Sequence, residues 1–124
     1  PGAGWVVLGD LNADPSDGAS MRAAILSLLN VAQDPKPGSA GAIESAAIGA
    51  NRRHRGDPAT DTADWKDEPG PGNLRIDYVL PSQDWEVVGS GVFWPAKGDP
   101  LRRLVGDGEV VVSSDHRLVW VDIR

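Results

Sequence analysis

The chain has 124 residues, enough for one small domain with a core of its own. It contains no cysteine, which excludes disulfides and thiolate metal sites. Its net charge of -6 disfavours a broad electrostatic grip on nucleic acid, although a metal ion and a few arginines would still hold a phosphate. Because the chain begins with Pro-Gly-Ala-Gly rather than methionine, we expect it to be a piece of a longer protein.

The first element is an apolar run over 5–8 that ends in Gly9, Asp10 and, after one leucine, Asn12. Bulky apolar residues in this arrangement predict a buried strand whose polar pair stands where the strand leaves the sheet. If the backbone stays extended, Asp10 and Asn12 point to the same side. An ordinary turn at the strand exit would use the same residue types.

Two helices are predicted next. The first has Asp17 or Ser20 as its cap, and the second extends over 40–50 with Ser39 as its cap. The first helix presents one apolar face at helical spacing, formed by Met21, Ala24, Ile25, Leu28 and Leu29.

The stretch 51–73 is rich in Arg, Asp, Pro and Gly and shows no period, so it predicts a long irregular loop. Its start is basic and its continuation is acidic. One interpretation is a solvated, mobile loop. The other is a flap in which His54, Arg55 and Trp65 meet an anionic substrate.

Strand character returns in the last third of the chain. Alternation predicts strands over 74–80 and 85–94, with a bulge or bend at Gly89 and Gly91. The irregular stretch 97–108 has room for one helical turn at 101–105. Another apolar run begins at Val110, and a closing strand is predicted over 118–123. The order of these elements indicates an α/β arrangement in which helices cover one face of a sheet.

Polar groups stand at strand ends or on inner strand faces at Asp10, Asn12, Asp77 and the pair Asp115-His116. If these strands are neighbours, the groups converge. Carboxylates suit Mg²⁺ or Mn²⁺, an amide can donate to a phosphoryl oxygen, and a histidine can exchange a proton. Together they suffice for metal-assisted hydrolysis of a phosphoester. A serine triad using Ser113 or Ser114 is an alternative, although Gly-x-Ser-x-Gly is absent.

Three motifs resemble the endonuclease/exonuclease/phosphatase superfamily: Gly9-Asp10-Leu11-Asn12, Arg75-Ile76-Asp77-Tyr78 and Ser114-Asp115-His116-Arg117. That superfamily includes deoxyribonuclease-like nucleases, apurinic endonucleases, inositol-phosphate phosphatases and bacterial sphingomyelinases. The similarity extends from Trp5 to Ile123. It implies the C-terminal half of a four-layer α/β/β/α sandwich, with a mainly antiparallel or mixed sheet and helices on one face.

The resemblance also implies roles for individual residues. Asp10 orients the attacking water, Asn12 and His116 contact the scissile phosphate, and Asp77 supports His116. Asp115 and Asp10 lie at the metal, which is Mg²⁺ or else Mn²⁺ or Ca²⁺. The implied activity is that of a metal-dependent phosphoesterase, and its substrate is a nucleic acid, a phospholipid head group or a small ester.

In this reading, residues 1–124 are the C-terminal portion of the domain, and the N-terminal half is absent. That half supplies further metal ligands in the family, so we expect this portion to be weakly active or inactive. We also expect the missing half or a second chain to cover an exposed sheet face, because an uncovered apolar face promotes association. Export from the cytoplasm is a further expectation from the resemblance. The alternative function is a non-catalytic fragment or binding module that keeps the fold.

Overall fold

The computed structural model describes residues 3–106 and 111–124. Val110 and the end of the predicted irregular stretch 97–108 therefore lie outside the described residues. The strands are β1 (Val6–Asp10), β2 (Ala63–Asp64), β3 (Asn73–Leu74), β4 (Asp77–Pro81), β5 (Val87–Val92) and β6 (Val119–Ile123). The helices are α1 (Arg22–Leu29) and α2 (Ala40–Ser45).

The strands form antiparallel pairs. β1 pairs with β4, β2 with β3, and β5 with β6, while β4 also lies beside β6. This mixture of helices and antiparallel strands is consistent with the predicted α/β class.

β1 is covered on one face only. Val7 packs on the cluster of Ile25, Tyr78 and Leu80, which joins α1 to the strand pair. Leu8 points the other way and is 69 % exposed. The prediction of a buried strand therefore holds for one face only, because successive side chains alternate between the faces and α1 covers one of them.

Helix α1 forms where the apolar spacing predicts it, but its predicted cap is wrong. The residue before the helix is Met21, and no side chain caps the first turn. The Asp17 carboxylate instead accepts from the backbone N–H groups of Arg55 and Gly56. A carboxylate occupied by a distant loop is not available to the helix that follows it.

Helix α2 begins as predicted, with the Ser39 hydroxyl accepting from the N–H of Ala42. It ends at Ser45 rather than at residue 50. A 3₁₀ turn over Gly49–Arg53 follows, and Gly49 has φ 51°, a conformation that favours glycine. Gly41 packs so closely on Trp94 that a Cβ would lie 2.4 Å from the ring, so this face tolerates only the smallest residue.

The predicted irregular loop over 51–73 contains regular structure. It holds β2, the first residue of β3 and a 3₁₀ turn over Pro58–Thr60. Thr62 and Ala63 are fully buried within it. No apolar periodicity predicts this regular structure, because hydrogen bonds between side chains and the backbone hold much of the segment in place.

The predicted strand over 74–80 is interrupted between β3 and β4. The N–H of Arg75 donates to Asp14 Oδ2 at 2.8 Å, and the N–H of Ile76 donates to Thr62 Oγ1 at 3.0 Å. Because these amides bond side chains rather than a neighbouring strand, the ladder stops and restarts at Asp77. The predicted bulge in β5 is confirmed by a register shift between Val87 and Gly89.

The end of the chain packs on a second core cluster, in which Val92 and Trp94 meet α2. A 3₁₀ turn at Pro100–Leu104 lies within one residue of the predicted helical turn, and the closing strand forms as β6. Within the described ranges, no helix is long and apolar enough to cross a membrane.

Candidate active site

Three polar side chains meet where β1 ends and β4 begins. Asp10 and Asp77 are register partners in this strand pair. His116 is brought beside them by a β-bridge to Ala63. One ligand atom from each of the three lies within 4.8 Å of the other two.

Asp77 and His116 form a directed pair. Nδ1 of His116 lies 3.1 Å from Oδ1 and 3.0 Å from Oδ2 of Asp77. An ionised carboxylate only accepts, so in a neutral imidazole this contact favours the proton on Nδ1. The edge of Trp65 meets the imidazole, with ring centroids 6.1 Å apart.

Asp10 and Asn12 meet through a turn, not through an extended strand. Asn12 has φ 49°, so the backbone leaves the β region just after β1. Its N–H donates to Asp10 Oδ1 at 2.8 Å and its side-chain amide to Oδ2 at 3.1 Å. Both residues are exposed. The backbone therefore does not stay extended, and the alternative of a turn at the strand exit is confirmed, with the two side chains still together.

Asp115 lies near the site but outside the group of three. It lines an open cavity of about 960 Å³ together with Asp64 and Trp65. Trp65 connects the two places, because it lines the cavity and also contacts His116. The assignment of Asp115 and Asp10 to one metal ion stays a prediction.

The other predicted loop residues bond within their surroundings. His54 Nε2 lies 2.8 Å from the carbonyl of Pro71, and the backbone of Arg55 is held by Asp17. Among the described residues, the two make no hydrogen bond with the three converging side chains. Trp65, the third residue of the predicted substrate loop, contacts His116, and the roles of His54 and Arg55 stay predictions.

The serine-triad alternative is contradicted. Ser114 Oγ accepts from the backbone N–H of His116 at 3.0 Å, and Ser113 Oγ donates to the carbonyl of Leu104. Neither hydroxyl bonds the imidazole, whose Nδ1 is taken by Asp77.

Comparison with known protein families gave one match. A sequence model described as the endonuclease/exonuclease/phosphatase family matches residues 1–116, a range that ends on His116. The chain belongs to this family. Searches of curated proteins and of solved structures found no match. Members of the endonuclease/exonuclease/phosphatase family are hydrolases of the phosphoesterase and nuclease type and generally depend on a divalent metal.

Arg117 supports the segment that carries His116, and this role was not predicted from the sequence. Its guanidinium donates to Asp64 Oδ2 at 2.7 Å and to the carbonyl of Ser114 at 2.6 Å, and it lies over the ring of Trp94. Burial raises the pKa of Asp64 and lowers that of Arg117, while their mutual attraction opposes both shifts. An arginine directly after Asp-His, facing a loop of aspartates, is the signal that could have revealed it.

A second buried arginine, Arg75, lies two residues before Asp77 in the chain. Arg75 bonds Asp34 through both terminal nitrogens and stacks on Tyr78 at 4.8 Å. Burial acts to raise the pKa of Asp34, but the hydrogen bond and charge of Arg75 outweigh it, and that pKa is lowered. Since both partners are engaged, we treat Arg75 as structural.

Proposed function

We propose that the protein hydrolyses a phosphate ester, most directly a phosphodiester, with the help of a hard divalent cation. The observation that supports this most strongly is the convergence of Asp10, Asp77 and His116 within 4.8 Å in a member of this family. Two carboxylates and an oriented imidazole form a set suited to activating water beside a phosphate.

The donor set fits a hard cation such as Mg²⁺, with Mn²⁺ or Ca²⁺ as alternatives, because it is rich in carboxylate oxygen. We assign Asp10 to the ion, with Asp115 nearby. Asp10 is exposed and, among the described residues, its carboxylate accepts hydrogen bonds only from Asn12, whereas Asp77 already accepts from Thr62 and faces His116. When bound, the ion would offset negative charge on the phosphoryl and leaving oxygens.

The chain's own groups then divide the remaining work. Asp10 orients the attacking water, and His116 uses Nε2 to exchange a proton with a reacting oxygen, since Nδ1 is committed to Asp77. Asn12 can release its side-chain contact with Asp10 and donate to a phosphoryl oxygen. Trp65, at the edge of the imidazole, would restrict water and contact the alcohol part of the substrate.

The test is Mg²⁺-dependent cleavage of bis-(p-nitrophenyl) phosphate by the full-length gene product. Asp10→Ala and His116→Ala should each lower kcat/KM by about a hundredfold or more. Asp122→Ala, an exposed aspartate on β6, is the matched control and should leave the rate unchanged. Unchanged turnover in either site variant would remove that residue from the mechanism. No cleavage by the unaltered protein with any of the three ions would contradict the proposal.

We also infer that the described residues are one half of the family's sandwich, and that the preceding half covers the second sheet face. Supporting this, large apolar side chains on or next to β1 and β6 are exposed: Leu8 is 69 % exposed, Leu118 67 % and Trp120 43 %. Apolar exposure of this kind marks an interaction surface. The 124-residue chain alone should therefore dimerise or aggregate in light scattering. A monodisperse monomer would argue against a missing half.

A further inference from the structure

Thr62 carries a hydroxyl that makes three hydrogen bonds beside the site. The residue is fully buried. Its Oγ1 accepts from the N–H of Ile76 at 3.0 Å and from the N–H of Asp77 at 2.9 Å. The same oxygen lies 2.8 Å from Asp77 Oδ2.

The number of lone pairs and protons on the hydroxyl decides the direction of the bond between Thr62 and Asp77. A hydroxyl has two lone pairs and one proton. Two backbone N–H groups fill the lone pairs, so the proton is directed to the Asp77 carboxylate. Thr62 therefore fixes the rotation of that carboxylate, and the carboxylate in turn meets Nδ1 of His116.

The main chain of Thr62 joins the same elements. Its N–H donates to the carbonyl of Leu74 at 3.0 Å, and its carbonyl accepts from the N–H of Arg117 at 2.7 Å. Thr62 thus connects the break between β3 and β4 with the segment that carries His116. These backbone bonds survive a side-chain substitution, so the hydroxyl can be tested separately.

We propose that Thr62 is a positioning residue that orients Asp77 and thereby sets the tautomer of His116, with the proton on Nδ1 and Nε2 presented to the substrate. The inference deepens the proposed hydrolysis and rests on it for its catalytic consequence. Its structural consequence, the tautomer, is measurable without any turnover. Partners that orient a functional histidine in this way commonly change activity by about ten- to a hundredfold when they are removed.

The first measurement is the ¹⁵N NMR spectrum of the His116 imidazole in the metal-free full chain, in alkaline buffer. We expect the pattern of a protonated Nδ1 and an unprotonated Nε2. Thr62→Ser, which keeps the hydroxyl, should retain this pattern. Thr62→Val, which has nearly the same shape but no hydroxyl, should move the signal towards the opposite tautomer. A protonated Nε2 in the unaltered protein would overturn the proposal even if Thr62→Val fails to fold.

The second measurement is steady-state cleavage of bis-(p-nitrophenyl) phosphate by the full-length gene product. Thr62→Val should lower kcat by about ten- to a hundredfold with little change in KM, and Thr62→Ser should restore most of kcat. Thr60→Val is the matched control, because Thr60 is also buried but donates to the carbonyl of Asp57. An equal loss in Thr60→Val, or no rescue by serine, would reduce Thr62 to a structural residue.

The two measurements separate the two proposals. If the unaltered protein cleaves no phosphodiester but shows the expected tautomer and its response to Thr62→Val, the proposed function fails and the positioning role stands. If it cleaves normally but the tautomer is indifferent to residue 62, the positioning role fails alone.

Discussion

Asp61 and Asp77 lie beside the same threonine, yet their surroundings are opposite. The Asp77 carboxylate accepts a hydrogen bond from the Thr62 hydroxyl and faces Nδ1 of His116. Asp61 is 8 % exposed, and no donor bonds its carboxylate among the residues that the structure describes. Burial, together with repulsion from Asp14, Asp17 and Asp57, raises the pKa of Asp61 to about 8.

The difference teaches that burial alone does not make a carboxylate useful to a site. A carboxylate that accepts hydrogen bonds from two donors is held in one orientation, so it can orient a histidine. A carboxylate surrounded by like charge gains most from binding a proton. The short segment 61–65 thus contains a support for the site at Thr62 and a pH-sensitive group one residue earlier.

On the side of the comparison that contains Asp77 and His116, we expect the largest effect from replacing Arg117. Its side chain is 3 % exposed, and it ties Asp64 of the loop to the carbonyl of Ser114, two residues before His116. Arg117→Met leaves both partners without their donor. The free energy of unfolding should fall by about 3 kcal/mol, measured by urea denaturation with tryptophan fluorescence.

The matched control is Arg124→Met. Arg124 also forms a two-pronged contact with a carboxylate, that of Glu86, but both side chains are mostly exposed. Water and salt screen such a pair, so its loss should change stability very little. Equal destabilisation by the two substitutions would show that burial does not decide the value of Arg117.

The sequence predicts those parts of the fold that apolar periodicity specifies. Helix α1, strands β1 and β6, and the bulge in β5 follow from side-chain spacing and glycine positions. The strand over 74–80 could not be predicted correctly in the same way. Its interruption is caused by Asp14 and Thr62, which take its amides from positions far along the chain.

The residues of the site also divide into those that the sequence predicts and those that it does not. Asp10, Asp77 and His116 were predicted because polar residues at strand ends are conspicuous in the sequence. Thr62 and Arg117 were missed because their value depends on which distant groups the fold brings to them. Asp115 lines the neighbouring cavity, and its expected place at the metal stays a prediction.

The raised pKa of Asp61 predicts an unusual dependence of folding stability on pH. The folded-state pKa of Asp61 lies above that of an unfolded aspartate, so the folded protein binds the extra proton. Its stability should therefore fall as the pH rises towards 8 and then level off. Between about pH 5 and pH 8 we expect a loss of about 3 to 4 kcal/mol from this residue, and Asp61→Asn should remove it. Urea denaturation at each pH measures both.

Two further substitutions sharpen this test. Asp99→Asn makes the same change at an exposed aspartate that caps a 3₁₀ turn, so it should leave the pH profile as it is. Asp57→Asn removes one of the charges that repel Asp61 and should lower the pKa of Asp61. The levelling of stability should then begin at a lower pH, and the total loss should be smaller. A profile that Asp61→Asn does not flatten would mean that another group binds the proton, and the contrast between Asp61 and Asp77 would fail.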